Sequence, residues 1–142
     1  MELGCGGAVV DSGLSENVSF ALRSDIVVDL SRHGKTLAIG CPLSSSSVNG
    51  TEQENTGRVE IYQETDGEWK LSGEPLFVNK TGAFLGASVS LSSNGTTLAV
   101  GTPGPEGNVQ VFKMEQDEWV PHGESIGSSS LLISVGSVSM SA

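Results

Sequence analysis

Apolar and polar positions along the chain fall into short runs, and most of these runs alternate. Val28-Asp29-Leu30-Ser31 alternates as a half-buried strand does, and the pattern returns as Val89-Ser90-Leu91-Ser92 and as Val138-Ser139-Met140-Ser141. His33-Gly34 follows the first run and Asn94-Gly95 the second. Asn-Gly predicts a two-residue type I′ hairpin turn, in which both central residues take positive φ. The next runs, Leu37-Ala38-Ile39-Gly40 and Leu98-Ala99-Val100-Gly101, are apolar on both faces, which predicts inner strands. Gly40-Cys41-Pro42 and Gly101-Thr102-Pro103 end them, because proline cannot continue a central ladder. Arg58 to Gln63 and Asn108 to Lys113 alternate again. A fourth strand is predicted near Glu68-Trp69 and Glu118-Trp119, after turns at Thr65-Asp66-Gly67 and Glu115-Gln116-Asp117.

These runs are diverged copies of one unit. Leu30 to Pro42 lies over Leu91 to Pro103 at an offset of 61 residues, whereas Gly57 to Glu74 lies over Gly107 to Glu124 at an offset of 50. The difference falls in one loop, Leu43 to Thr56, which is longer by 11 in the first copy. Residues 1–23 form a poorly defined N-terminal segment, 24–76 a first blade-like repeat, 77–126 a second, and 127–142 the truncated start of a third. Units of this length stack because none buries its apolar face alone. Four antiparallel strands per unit of about 50 residues is the composition of a β-propeller blade. The expected fold class is therefore all-β, with two recognisable four-stranded blades and the start of a third.

Gly86-Ala-Ser-Val-Ser-Leu-Ser-Ser-Asn-Gly-Thr-Thr-Leu-Ala-Val-Gly-Thr-Pro103, followed by Gly107-x-Val-x-Val-Phe112 and a Trp-x-x-x-Gly, resembles the FG-GAP repeat. That repeat is the blade sequence of integrin alpha-chain propellers and of many secreted or surface proteins. The resemblance spans roughly Ser24 to Ile126, and the tail from Leu132 to Ala142 is similar to the opening strand of a further blade. Leu85-Gly86, with Phe84 beside it, stands at the Phe-Gly position, which Ser24-Asp25 replaces in the first copy. Kelch repeats share the period and the order of Val-x-Val-Tyr and Trp, but end a strand with Gly-Gly. The resemblance implies an extracellular or cell-surface location. It also implies calcium in the hairpin after the first strand, yet Asp29 is the single carboxylate at the matching positions Asp29, Ser31, His33, Gly34 and Ser90, Ser92, Asn94, Gly95. Calcium needs about six to eight oxygen ligands, so a plain hairpin is expected with Asp29 as a weak candidate alone.

Composition narrows the partners. A formal net charge of −10 with seven scattered basic residues disfavours nucleic acid. No run reaches the roughly 18 apolar residues of a membrane helix. The N-terminus, Met1-Glu2-Leu3-Gly4-Cys5, lacks the basic region of a secretory signal, against the family's location. Cys5 and Cys41, too few for a framework, are either bridged or free, and Cys41 is read as a small core hydrophobe. Asn17, Asn49, Asn79 and Asn94 head Asn-x-Ser/Thr triplets, candidates for N-glycosylation if the chain is secreted.

Catalytic and nucleotide motifs fail on context. Gly34-Lys35-Thr36 mimics the end of a P-loop, but Asp29 stands where its first glycine belongs. Gly4-Cys5-Gly6-Gly7 lacks the third glycine of a dinucleotide fingerprint. His33 and His122 have no Cys or His neighbours at metal spacing, and no Gly-x-Ser-x-Gly elbow is present. Trp69 and Trp119 recur at one position, which favours a structural role. Catalytic residues, metal and cofactor are accordingly expected to be none.

Closed propellers have about four to eight blades, more than the two and a fraction here, so self-association or further blades are needed for closure. The expectation is a partial FG-GAP-like propeller serving as a non-catalytic binding or adhesion module for a protein or glycan ligand. The alternatives are a fragment of a glycosidase or oxidase propeller, its site on Leu43 to Thr56 with Glu52 and Glu54, or a degenerate fragment without its own function.

Overall fold

A computed structural model describes residues 26–104, 107–127 and 137–141, and within them every regular element is a strand. The first sheet consists of β1 (Val27–Leu30), β2 (Thr36–Cys41), β5 (Arg58–Thr65) and β6 (Glu68–Leu71), hydrogen-bonded in that order as an antiparallel meander. The second repeats the order with β8 (Ser88–Leu91), β9 (Thr97–Thr102), β10 (Asn108–Glu115) and β11 (Glu118–Pro121). A short fifth strand joins each: β7 (Leu76–Phe77) pairs with the start of β5, and β12 (Ile126–Gly127) with the start of β10. Both sheets are open, and neither closes into a barrel.

Register is the same in the two sheets. Val27 opposes Gly40 as Ser88 opposes Gly101, and Gly40 opposes Val59 as Gly101 opposes Val109. Residues directly opposite on paired strands share a face. Ala38, Val59 and Ile61 of the first sheet thus face Val89, Leu91, Leu98, Val100 and Trp119 of the second, and these side chains form the main core. Ile39, Cys41 and Tyr62 form a smaller cluster on the opposite face of the first sheet, with Leu37 and Trp69 against it. The sheets approach closely at Gly40 and Gly86, which have no side chains. A Cβ on Gly40 would stand 2.1 Å from the Gly86 carbonyl oxygen.

The structure departs from expectation at several points. The turns at His33-Gly34 and Asn94-Gly95 are not two-residue I′ loops, since neither His33 nor Asn94 has positive φ. Ladder pairing stops at Leu30 and Leu37, and the Gly34 N–H donates to the Ser31 carbonyl at 2.8 Å, so the loop is built around a type I turn with Gly34 left-handed at φ 69°. Ser31 closes it twice: its N–H donates to the Thr36 carbonyl at 2.8 Å, and its Oγ accepts from the Thr36 N–H at 3.1 Å. Ser92 and Thr97 do the same in the second sheet. Type I′ geometry occurs instead at Asn49-Gly50 and Asp66-Gly67, where both residues have positive φ.

The long loop Leu43 to Thr56 is partly regular. It holds a hairpin of its own, β3 (Ser46–Val48) and β4 (Thr51–Gln53), which fills the extra length. The alternation of β1 is inverted relative to expectation, with Val28 and Leu30 at 60% and 52% exposure and Asp29 half-buried. Cys41 is buried in the core and, of the two states left open for it, is disulfide-bonded, and the chain's other cysteine, Cys5, lies outside the described residues. Of the expected opening strand at Leu132 to Ala142, residues 137–141 form no strand and the rest lie outside the described residues.

Candidate functional site

Antiparallel pairing brings the start of each first strand beside the end of each second strand. Ile26 and Val27 therefore lie near Pro42 and Leu43 in the first sheet, and Ala87 near Pro103 in the second. Phe84 completes the lining of a cleft of about 540 Å³ between the sheets at this end. The two prolines that stop β2 and β9 thus serve as walls. Every lining side chain is apolar, and no titratable group is among them.

Phe84 is held by strong local constraint. It has φ 55°, a left-handed conformation that costs a bulky side chain about 1–3 kcal/mol. The neighbouring segment holds it there. Gly82, Phe84 and Leu85 donate their N–H groups to the carbonyls of Glu54, Asn55 and Thr56 at 3.0, 3.0 and 3.1 Å, tying this stretch to the end of the β3–β4 hairpin. The insertion of the first unit thereby positions the aromatic wall of the cleft.

Asp29, the weak calcium candidate, has a different partner. Its Oδ2 accepts a hydrogen bond from the Leu91 N–H at 2.6 Å, across from one sheet to the other. Among the described residues no group of three or more His, Cys, Asp or Glu side chains converges as metal ligands would. His33 and His122 are exposed, His33 in the β1–β2 turn and His122 just after β11. Glu52 and Glu54 are exposed on or beside β4 and do not line the cleft. Asn49 and Asn79 are exposed, as is Asn94, whose Oδ1 accepts from the Thr96 N–H and Oγ1 at 3.2 and 2.9 Å and from the Ser92 Oγ at 2.8 Å. Asn17 lies outside the described residues.

A second polar constellation sits on the outer face of the first sheet. Glu60, 2% exposed, pairs with Arg58 at 2.6 Å and accepts from the Tyr62 hydroxyl at 2.6 Å. Burial and the Glu60 carboxylate push the Tyr62 hydroxyl up to about 12, against a smaller opposing effect of Arg58. The three alternate along β5 and so share a face, where the Glu60 carboxylate is paired on both sides while the buried Arg58 Nε has no hydrogen-bond partner.

No family model matches the chain, and no curated protein does. The geometry of its own residues is therefore what bears on function. Sequence reasoning singled out none of the cleft residues as a site, although the repeated Gly-x-Pro at Pro42 and Pro103 and the aromatic beside Leu85-Gly86 were the signals available. No helix among the described residues is long and apolar enough to cross a membrane.

Proposed function

We propose that this chain is a non-catalytic binding module built from two propeller-type blades of the FG-GAP kind, and that the apolar cleft is where it takes its ligand. What carries the proposal is the cleft itself, an apolar hollow between two meanders of identical register with an acid- and base-free lining. Binding pockets are commonly apolar and concave, at junctions between structural units. The lining side chains carry no hydrogen-bonding group for a sugar, which favours an aliphatic or aromatic side chain of a protein ligand over a glycan. A disulfide on buried Cys41 and the exposure of Asn49, Asn79 and Asn94 fit a protein that works outside the reducing cytosol.

A peptide library and a glycan array, read against the chain and against Ala87→Phe, test this. Ala87 lines the cleft, so the added ring fills it. Peptide binding that falls at least about tenfold in Ala87→Phe, roughly 1.4 kcal/mol, is expected. Peptide hits indifferent to that substitution would move the site elsewhere, and turnover in a hydrolase panel would replace the binding role with an enzymatic one.

A further inference from the structure

The hydrogen bond from Leu91 to Asp29 has a counterpart. The Met140 N–H donates to the Ser90 Oγ at 3.0 Å. Ser90 holds in β8 the register position that Asp29 holds in β1, opposite Ala99 as Asp29 is opposite Ala38. Segment 137–141 thus meets the outer face of the second sheet, where Ser88, Ser90 and Ala99 are buried, as β8 meets the first sheet.

Exposed apolar side chains mark the places where that relationship is unfinished. Pairing with Ile39, Leu37, Tyr62 and Arg58 places Val28, Leu30, Leu71 and Phe77 on the outer face of the first sheet. Val28 and Leu30 correspond in register to Val89 and Leu91, which the contact between the sheets buries. Ile126, 70% exposed and opposite Val109, lies on the outer face of the second sheet, where Leu76 in the first sheet is half-buried against the core. The outer side of β1 therefore lacks the kind of face that β1 and β2 offer to β8, and the second sheet presents that kind of face. Single exposed hydrophobics need no explanation, but a set that maps onto an existing interface does.

We infer that these two faces bind each other between copies of this chain, the β1 side of one copy seating on the β8 side of the next. The occupant's Leu30 N–H then takes the place of Met140 at Ser90, displacing segment 137–141. Ile39, Cys41 and Tyr62 are already covered, so the contact centres on Val28 and Leu30. The interface is heterologous, with different surfaces on the two partners, so it extends into a ring or a chain of copies rather than stopping at a symmetric dimer. It rests on the register of the sheets and not on the cleft's ligand.

Sedimentation velocity on the full chain, with Leu30→Glu and Ile126→Glu, tests the inference. Wild type is expected to grow past the dimer with concentration, and each variant alone to stay monomeric. Mixed in equal amounts, the variants are expected to give one heterodimer, because each retains the face the other has lost. Wild type that stays monomeric at every concentration, or a mixture without heterodimer, would overturn it. Peptide binding in the cleft by such a monomer would leave the proposed function standing. Circular dichroism melts verify folding, and Val28→Lys replaces Leu30→Glu should that variant melt early.

Discussion

The carboxylate of Asp29 accepts the backbone N–H of Leu91 at 2.6 Å, joining the first strand of one sheet to the first strand of the next. Leu91 is buried and Asp29 half-buried, so the bond is only partly open to water. Asp29→Ala is expected to destabilise the chain by about 1–3 kcal/mol, the cost of a buried donor left unmade. Asp29→Asn retains an acceptor oxygen and is expected to lose less. Urea midpoints that fall at unchanged slope measure this directly. Equal midpoints for Asp29→Ala and wild type would show that the bond contributes nothing.

The same residue shows what the sequence could and could not reveal. Strand positions were legible, since Val28 to Ser31 and Arg58 to Gln63 alternate and proline stops β2 and β9. Which side of β1 is buried was not. Alternation in a strand announces two faces, but the neighbour decides which is covered, and here β8 comes to the side bearing Asp29. The type of the β1–β2 turn was hidden for a related reason: an Asn-Gly or His-Gly pair serves in several turns, and where the ladder stops selects among them. The cleft was the least legible, because its residues come from four separate strand ends.

Tyr62 makes stability sensitive to alkali. The folded chain holds its proton more tightly than the unfolded one, whose tyrosine titrates near 10, whereas the folded value is about 12. This contribution is complete below about pH 10 and is lost as pH rises through about 12. Wild type is therefore expected to lose about 2 kcal/mol relative to Tyr62→Phe over that window, an order-of-magnitude figure for a shift of this size. Paired denaturation curves at neutral and alkaline pH provide the check, and parallel losses in both proteins would remove Tyr62 as the cause.

Trp69 and Trp119 occupy one register position in the two sheets but differ in surroundings. Trp119 is buried in the core between the sheets and lies against the turn after β6, within 3.2 Å of where a methyl on Gly73 would stand. Trp69 is half-buried on the outer face. Trp119→Ala is expected to cost about 3–5 kcal/mol, as large aromatic deletions in a core do, and Trp69→Ala clearly less. Fluorescence of Trp69→Phe, which isolates Trp119, is expected to lie to the blue of Trp119→Phe. The opposite order would mean that the contact between the sheets is not made in solution.

Close approach of Gly40 and Gly86 supplies the sharpest test of how the sheets are set. A methyl on Gly40 would meet the Gly86 carbonyl oxygen at 2.1 Å and its Cα at 3.2 Å, all backbone atoms that cannot rotate away. Gly40→Ala must therefore push the sheets apart along the core of Ala38, Val59 and Leu98. The expected cost exceeds the roughly 1–3 kcal/mol of ordinary overpacking, because backbone rather than a flexible side chain stands in the way. Gly67 provides the contrast: φ there is 81°, yet nothing lies within 4 Å of an added methyl. Gly67→Ala should show only the left-handed penalty, about 1–2 kcal/mol. Melting temperatures of the two variants separate clash from conformational strain, and a Gly40→Ala chain as stable as Gly67→Ala would mean that the sheets do not meet at Gly86.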